Sequence, residues 1–430
     1  MEQYQVRKLQ RPVSYQAEIP GSKSITNRAL LLASMADGES TLRHILFSDD
    51  SRAFLDCLEK LGYELSVDEK ERIVKIKGGL PCKKAQIHVR SAGTTARFLT
   101  AFLAAAGGEY EILSSEQMAK RPMKPLCEAL EKLGIEFAYY NREYFLPFQM
   151  KANGCMGGTV DLFAEQSSQF LSALLMTGHL YEKGLTICHT GTEIARSYID
   201  MTIKMMEQFG GSVVRKGQTY YVYPTGPYQA LDYRIEPDVS GAGYFFAMAV
   251  LTGGEVLVKD VHFDSLQGDI QFLEILKRLG ANVTDTPEGV KVSGPENGCY
   301  SGIDVDMNDC SDQTMTMAAL AVFAKSPTVI RNIGHIRLQE SDRIHAIVTE
   351  LTKLGILCEE GEDSITIHPG EPKPAAIDTY HDHRMAMAFS LIGLRADGIV
   401  INDPGCTAKT FENYFELLDD VINSNIKVMR

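Results

Sequence analysis

No apolar stretch in the 430-residue sequence approaches the ~20 residues that a bilayer-spanning helix needs. The first residues, Met1-Glu2-Gln3-Tyr4-Gln5-Val6-Arg7, lack the apolar core of a secretory signal. Nine cysteines, an odd number, include no pair at CxxC spacing, which excludes a zinc ribbon and speaks against a disulfide framework. No basic run offsets a net charge of −13, so nucleic acid and anionic membranes are poor partners. Low-complexity tracts are absent too. The expectation is a cytoplasmic globular protein of two or three domains, with no nucleic-acid or membrane partner.

What the chain does have is a sixfold internal repeat. Polar or charged clusters recur at Ser22-Lys23-Ser24, Gly93-Thr94-Thr95, Gln166-Ser167-Ser168-Gln169, Ser240-Gly241, Ser311-Asp312-Gln313 and His381-Asp382-His383-Arg384. From Ser24, Thr94, Ser167, Ser240, Asp312 and His383 the steps are 70, 73, 73, 72 and 71 residues. Behind each cluster stands a run apolar on all sides, such as Phe98-Leu99-Thr100-Ala101-Phe102-Leu103, which marks a core helix. The amino end of such a helix has unpaired N–H groups and favours an anion. Each copy continues into an amphipathic helix closed by Leu-Gly or Phe-Gly, then alternating strands such as Arg72-Ile73-Val74-Lys75-Ile76-Lys77. The period exceeds that of short solenoid repeats, so a pseudo-symmetric α/β assembly is expected, its sixth copy truncated around Asn413–Leu418.

Position matters more than sum for the cations. Lys23, Arg28, Arg97, Lys120, Arg121, Arg343, Arg384 and Lys409 fall in or beside the clusters and their loops, several near glycines that let backbone approach a ligand. Any one of them reads equally well as a solvated surface charge. Eight in such places point to a small, multiply anionic substrate held by arginine forks.

The string Pro20-Gly21-Ser22-Lys23-Ser24-Ile25-Thr26-Asn27-Arg28-Ala29-Leu30 resembles the signature of the 5-enolpyruvylshikimate-3-phosphate (EPSP) synthase family. The likeness continues through Lys120-Arg121-Pro122-Met123, Ser167-Ser168-Gln169, Gln267-Gly268-Asp269, Glu340-Ser341-Asp342-Arg343, Asp382-His383-Arg384 and Asp403-Pro404-Gly405 to Lys409. It implies the enolpyruvyl transferase fold: two pseudo-threefold α/β domains built from six βαβαββ repeats. One domain would hold residues 1–18 and 237–430, the other 19–236, with the active site in the cleft between them and a monomeric chain. The implied reaction moves the enolpyruvyl group of phosphoenolpyruvate to the 5-hydroxyl of shikimate 3-phosphate, without cofactor or metal.

Roles follow from the same resemblance. Lys23 would touch both substrates, and Ser24, Arg28, Ser167, Ser168 and Gln339 shikimate 3-phosphate. Gln169 would bridge the two. Gly93, Arg121, Arg343, Arg384 and Lys409 would hold phosphoenolpyruvate. Asp312 would bind the 5-hydroxyl and take its proton, and Glu340, with Lys23, would handle proton traffic at the methylene carbon.

Several positions depart from the family pattern. Gln339 stands where lysine is usual, Ser91 and His335 where asparagine is common, and Ala195-Arg196-Ser197-Tyr198 replaces Ser-Lys-Pro-Tyr. Rival motifs fail on their residues. Ser22 breaks a P-loop and Phe246 a dinucleotide fingerprint, while His381 and His383 lack a second zinc-spaced cluster. A sister transferase acting on UDP-N-acetylglucosamine is the nearest alternative, but its reactive cysteine is Glu116 here. The other alternative is a catalytically idle, phosphate-binding relative, suggested by Gln339.

Overall fold

The computed structural model describes residues 2–153, 156–163, 167–191 and 195–427; Gln166, the first residue of the third cluster, lies outside them. The chain divides into two compact units, one of Met1–Pro20 with Glu236–Arg430 and one of Gly21–Ile235.

Gly21–Ile235 holds three four-stranded sheets on one plan. In the second, Lys84–His88 runs parallel to Gly108–Leu113, and Phe148–Ala152 pairs antiparallel with both Gly108–Leu113 and Glu136–Tyr139. Parallel neighbours need a crossover, supplied by the helix Gly93–Ala106, every residue of which is buried. The third sheet repeats this order with Gly158–Phe163, Leu185–Thr190, Thr219–Val222 and Val213–Lys216. In the first, the parallel edge is not the strand before the helix Lys23–Ser34. It is Asp232–Arg234, from the end of the unit, beside Glu39–Arg43.

The unit of Met1–Pro20 and Glu236–Arg430 shows the complementary exchange. Ser14–Ala17 lies parallel to Glu255–Lys259 and so leads the fourth copy's sheet. The chain therefore changes unit between a lead strand and its buried helix, which keeps a parallel edge on both sheets. In the sixth copy Ala375–Ile377 and Ile399–Asn402 are parallel, and the chain's own first strand, Gln3–Gln5, closes the sheet antiparallel to Ile399–Asn402. That copy also runs on past its expected end at Leu418. Tyr414, Leu418, Val421 and Ile422 are buried at i, i+4, i+7 and i+8, and the helix Tyr414–Lys427 continues on that stripe.

Each unit is organised around its buried helices. Val239–Thr252, Thr314–Ala321 and His383–Gly393 pack on one another, and Gly93–Ala106 packs on both Lys23–Ser34 and Gln169–Thr177. The amphipathic helices end at Gly62, Gly134, Gly210, Gly280 and Gly355, all with φ between +78° and +91°, the left-handed residue that releases a helix. The amino ends are less alike than the repeat suggests. Ser22, Asp238 and Asp382 cap their helices with their own side chains, whereas the end at Gly93 has no side-chain cap.

Candidate active site

In the unit Gly21–Ile235, the buried Arg28 is held by neutral groups. Arg28, buried on the first core helix, donates from Nε to Thr202 Oγ1 (2.7 Å) and from Nη1 to the Ser24 carbonyl (3.0 Å). Its Nη2 reaches Ser172 Oγ and the Tyr198 carbonyl, both at 3.3 Å. Burial pulls its pKa down to about 10, so the guanidinium stays charged near neutrality. Lys23, at the start of the same helix, lies 3.7 Å from Asp50.

Arg97 organises the third cluster. Its Nη1 donates to Gln169 Oε1 (2.6 Å) and Ser167 Oγ (3.3 Å), and its guanidinium lies over the Phe170 ring. Ser167 Oγ also accepts from the Gln169 N–H at 3.2 Å, while the neighbouring Ser168 makes no side-chain cap bond. Gly93 lies close against the Arg121 guanidinium: a Cβ there would lie 2.6 Å from Arg121 Nη1 and displace it. Arg121 has no ion-pair partner among the described residues, and its buried Nε has no hydrogen-bond partner there.

The other unit gathers three cations against three carboxylates. Arg343 begins the helix Arg343–Lys353 and is 1% exposed. It donates from Nη1 to Asp312 Oδ1 (3.0 Å), from Nη2 to Glu340 Oε2 (3.0 Å) and from Nε to Asp382 Oδ2 (2.8 Å). Gln339 Oε1 accepts from Nη1 as well. Arg384 Nη2 donates to Asp312 Oδ2 at 2.6 Å and Lys409 Nζ to Glu340 Oε1 at 3.0 Å. Burial alone would weaken the charge on Arg343, but Asp382, Glu340 and Asp312 outweigh it and its pKa rises. Asp312 is therefore no helix cap; its two oxygens are shared between two arginines.

Around this cluster sit groups with displaced protonation. Asp269 is buried, with Oδ2 accepting from Ser240 Oγ at 2.6 Å and Oδ1 without a hydrogen-bond partner among the described residues. Burial, then the Asp312 charge, raise its pKa to about 7. His335 Nε2 lies 2.8 Å from Ser311 Oγ, and burial lowers its pKa to about 4, so it is neutral at pH 7. The Cys310 thiol is pushed well up by burial, which removes it as a nucleophile. The histidines of the sixth cluster do not converge: His381 is exposed and 2.9 Å from Asp403, while His383 is buried.

Thus Asp312, Gln339, Glu340, Arg343, Arg384 and Lys409 come together in one unit. In the other, Lys23, Ser24 and Arg28 share a helix, Gly93 lies against Arg121, and Ser167 and Gln169 meet on Arg97, with Ser168 between them in sequence. Sequence reasoning assigned no role to Asp382, the third anchor of Arg343, and counted Arg97 only among the cations for an anionic substrate, not as the holder of two predicted ligands. Both stand inside recognised clusters, but their partners lie 39, 70 and 72 residues away.

Comparison with known proteins gives one answer. The profile of the EPSP synthase (3-phosphoshikimate 1-carboxyvinyltransferase) family matches residues 8–418. A 3-phosphoshikimate 1-carboxyvinyltransferase of Nostoc punctiforme is 45% identical, over 96% of this chain and 98% of its own. That of Marinomonas sp. is 42% identical over 94% and 96%. A solved EPSP synthase from Acinetobacter baumannii shares the fold with a TM-score of 0.83 at 24% identity, covering 98% of both chains.

Proposed function

The chain belongs to the EPSP synthase (3-phosphoshikimate 1-carboxyvinyltransferase) family and is a transferase, and on that premise we propose how its residues divide the chemistry. The reaction joins the 5-hydroxyl oxygen of shikimate 3-phosphate to C2 of phosphoenolpyruvate while a proton adds to the methylene carbon. The tetrahedral intermediate then loses a methyl proton, breaks the C2–O bond to phosphate and restores the double bond.

The observation that carries this reading is the cluster around Arg343. It sets one carboxylate, Asp312, between two arginines, and a second, Glu340, between Arg343 and Lys409. Asp312 is the base for the 5-hydroxyl. Its two oxygens accept from Arg343 and Arg384, which orient the carboxylate for that role. Glu340 bridges two cations and passes a proton to and from the methylene carbon, and Lys23 serves that traffic from the other unit. Arg343, Arg384 and Lys409 hold the carboxylate and phosphate of phosphoenolpyruvate, with Arg121 and the backbone at Gly93.

Shikimate 3-phosphate falls to Arg28, Lys23, Ser24, Ser167, Ser168 and Gln169, with Gln339 and Asp312 at its hydroxyls. Gln339 accepts from Arg343 and has an amide N–H₂ left to donate. Acting on small soluble anions, the chain works as a cytoplasmic monomer. No helix among the described residues is long and apolar enough to cross a membrane.

The test is phosphate release. It should require phosphoenolpyruvate and shikimate 3-phosphate together and be unchanged by EDTA. Release with UDP-N-acetylglucosamine in place of shikimate 3-phosphate, or none with either acceptor, would contradict the reading.

A further inference from the structure

The segment that leads into Arg384 is unusual in its backbone. Tyr380 and His381 are consecutive non-glycine residues with φ of +55° and +53°, and Asp403, ahead of the turn that carries Lys409, has φ +50°. Bulky side chains avoid this region, and such residues persist only where their surroundings hold them.

What holds them is visible. Glu350 is wholly buried on the helix Arg343–Lys353, two turns beyond Arg343 and on the same face. Its Oε1 accepts from Tyr380 Oη at 2.7 Å and from Lys353 Nζ at 2.8 Å, and its Oε2 from the Asp378 N–H at 3.0 Å. A buried carboxylate is tolerated when its lone pairs are filled in this way. The same helix thus grips the segment twice, at Tyr380 through Glu350 and at Asp382 through Arg343. His381 Nδ1 reaches Asp403 Oδ2 at 2.9 Å and ties the segment to the turn Pro404–Lys409.

We propose that Tyr380 and His381 are positioning residues: a strained two-residue brace that fixes the mutual spacing of Arg343, Arg384 and Lys409. Neither side chain touches the reacting atoms; both act through the three cations. The inference rests on the carboxyvinyl-transfer reading, in which those cations hold phosphoenolpyruvate.

The test compares Tyr380→Phe, which keeps the ring and removes the hydroxyl, with His381→Ala, on an exposed side chain. Tyr380→Phe should raise the Michaelis constant for phosphoenolpyruvate about tenfold, the size of one lost hydrogen bond to a charged group, and His381→Ala, whose tie is solvent-exposed, about twofold. The constant for shikimate 3-phosphate should stay level in both variants and the melting temperature in His381→Ala, whereas Tyr380→Phe, which strips a donor from buried Glu350, should melt somewhat lower. The double variant should show less than the product of the single effects, because the two ties act on one segment. Kinetics equal to wild type in both variants would overturn the proposal. So would a parallel loss of turnover, both Michaelis constants and melting temperature, which marks a merely structural role. If the wild-type protein itself does not turn over, the functional reading fails instead. Calorimetric binding of phosphoenolpyruvate in the presence of shikimate 3-phosphate then judges the brace: weaker binding in Tyr380→Phe supports it, and equal binding overturns it.

Discussion

The two clusters proposed to bind anionic substrates differ in the partners their cations already have. Around Arg343, each of three cations is already paired with at least one of three carboxylates before any substrate arrives. Around Arg28 the partners are hydroxyls and carbonyls, and Arg121 has no ion pair among the described residues. A buried guanidinium with neutral partners is costly until an anion binds beside it, so that unit is prepared for a phosphate dianion. A ligand of the Arg343 cluster must instead compete with Asp312 and Glu340 for cations already in use. The comparison teaches that the number of arginines near a site does not measure its appetite for anions; their existing partners decide it.

The largest effect expected is on turnover. Asp312→Asn removes the proposed base and should lower the rate by about 10²–10⁴-fold, the usual weight of general base catalysis. Stopped turnover with intact substrate binding would fit; a variant near full rate would return Asp312 to a purely ionic role.

Next come the two arginines. Arg28→Ala should raise the Michaelis constant for shikimate 3-phosphate, and Arg384→Ala that for phosphoenolpyruvate. Each change should be worth about 1.5–3 kcal/mol, the loss of one charge-assisted contact. Their effects on the fold should differ more. Arg384→Ala strips a partner from the partly buried Asp312, a type of change that costs up to about 3–5 kcal/mol when fully buried. Arg28→Ala leaves only neutral groups behind. Differential scanning calorimetry should therefore show the lower melting temperature for Arg384→Ala; equal melting temperatures would break the comparison.

A pH series sharpens it further. The folded-state pKa of Asp269 is raised to about 7. Its contribution to stability is present below its unfolded value and is lost as pH rises through about 7. Asp269→Asn should therefore melt several degrees above wild type at about pH 8. The gap should close towards about pH 5, where the carboxyl is protonated in the fold. A gap independent of pH would mean that Asp269 does not titrate there.

Gln339→Lys should have the smallest effect. It adds a cation beside Arg343 and removes an acceptor from it, so Michaelis constants should move by only about threefold, well under the weight of a full charge-assisted contact. A rise in turnover of several orders of magnitude would show that the glutamine cripples the site.

Much of this was legible in the sequence because helix periodicity and capping are local properties, repeated here at a near-constant spacing. The six core helices, the glycine-ended amphipathic helices and the clusters at their starts all follow from patterns within about 20 residues. The strand exchange was not legible, since Asp232–Arg234 pairs with Glu39–Arg43 across almost the whole unit. Nor was the completion of the sixth sheet by Gln3–Gln5, which joins opposite ends of the chain. At the site, the motifs named Asp312, Glu340, Arg343, Arg384 and Lys409 but not how they pair. Asp382 was visible only as a neighbour of His383 and Arg384, and its grip on Arg343 is a tertiary contact. Asp50, the partner of Lys23, lay in an ordinary-looking acidic helix start.

The most direct test of the charge asymmetry is isothermal titration calorimetry of each substrate alone. Shikimate 3-phosphate should bind the free protein, lose affinity as salt rises, and lose it again in Arg28→Ala. Phosphoenolpyruvate alone should bind far more weakly, because three of its four proposed cations, Arg343, Arg384 and Lys409, are already paired with Asp312, Glu340 and Asp382. Equal affinities for the two substrates alone, both untouched by Arg28→Ala, would contradict the account.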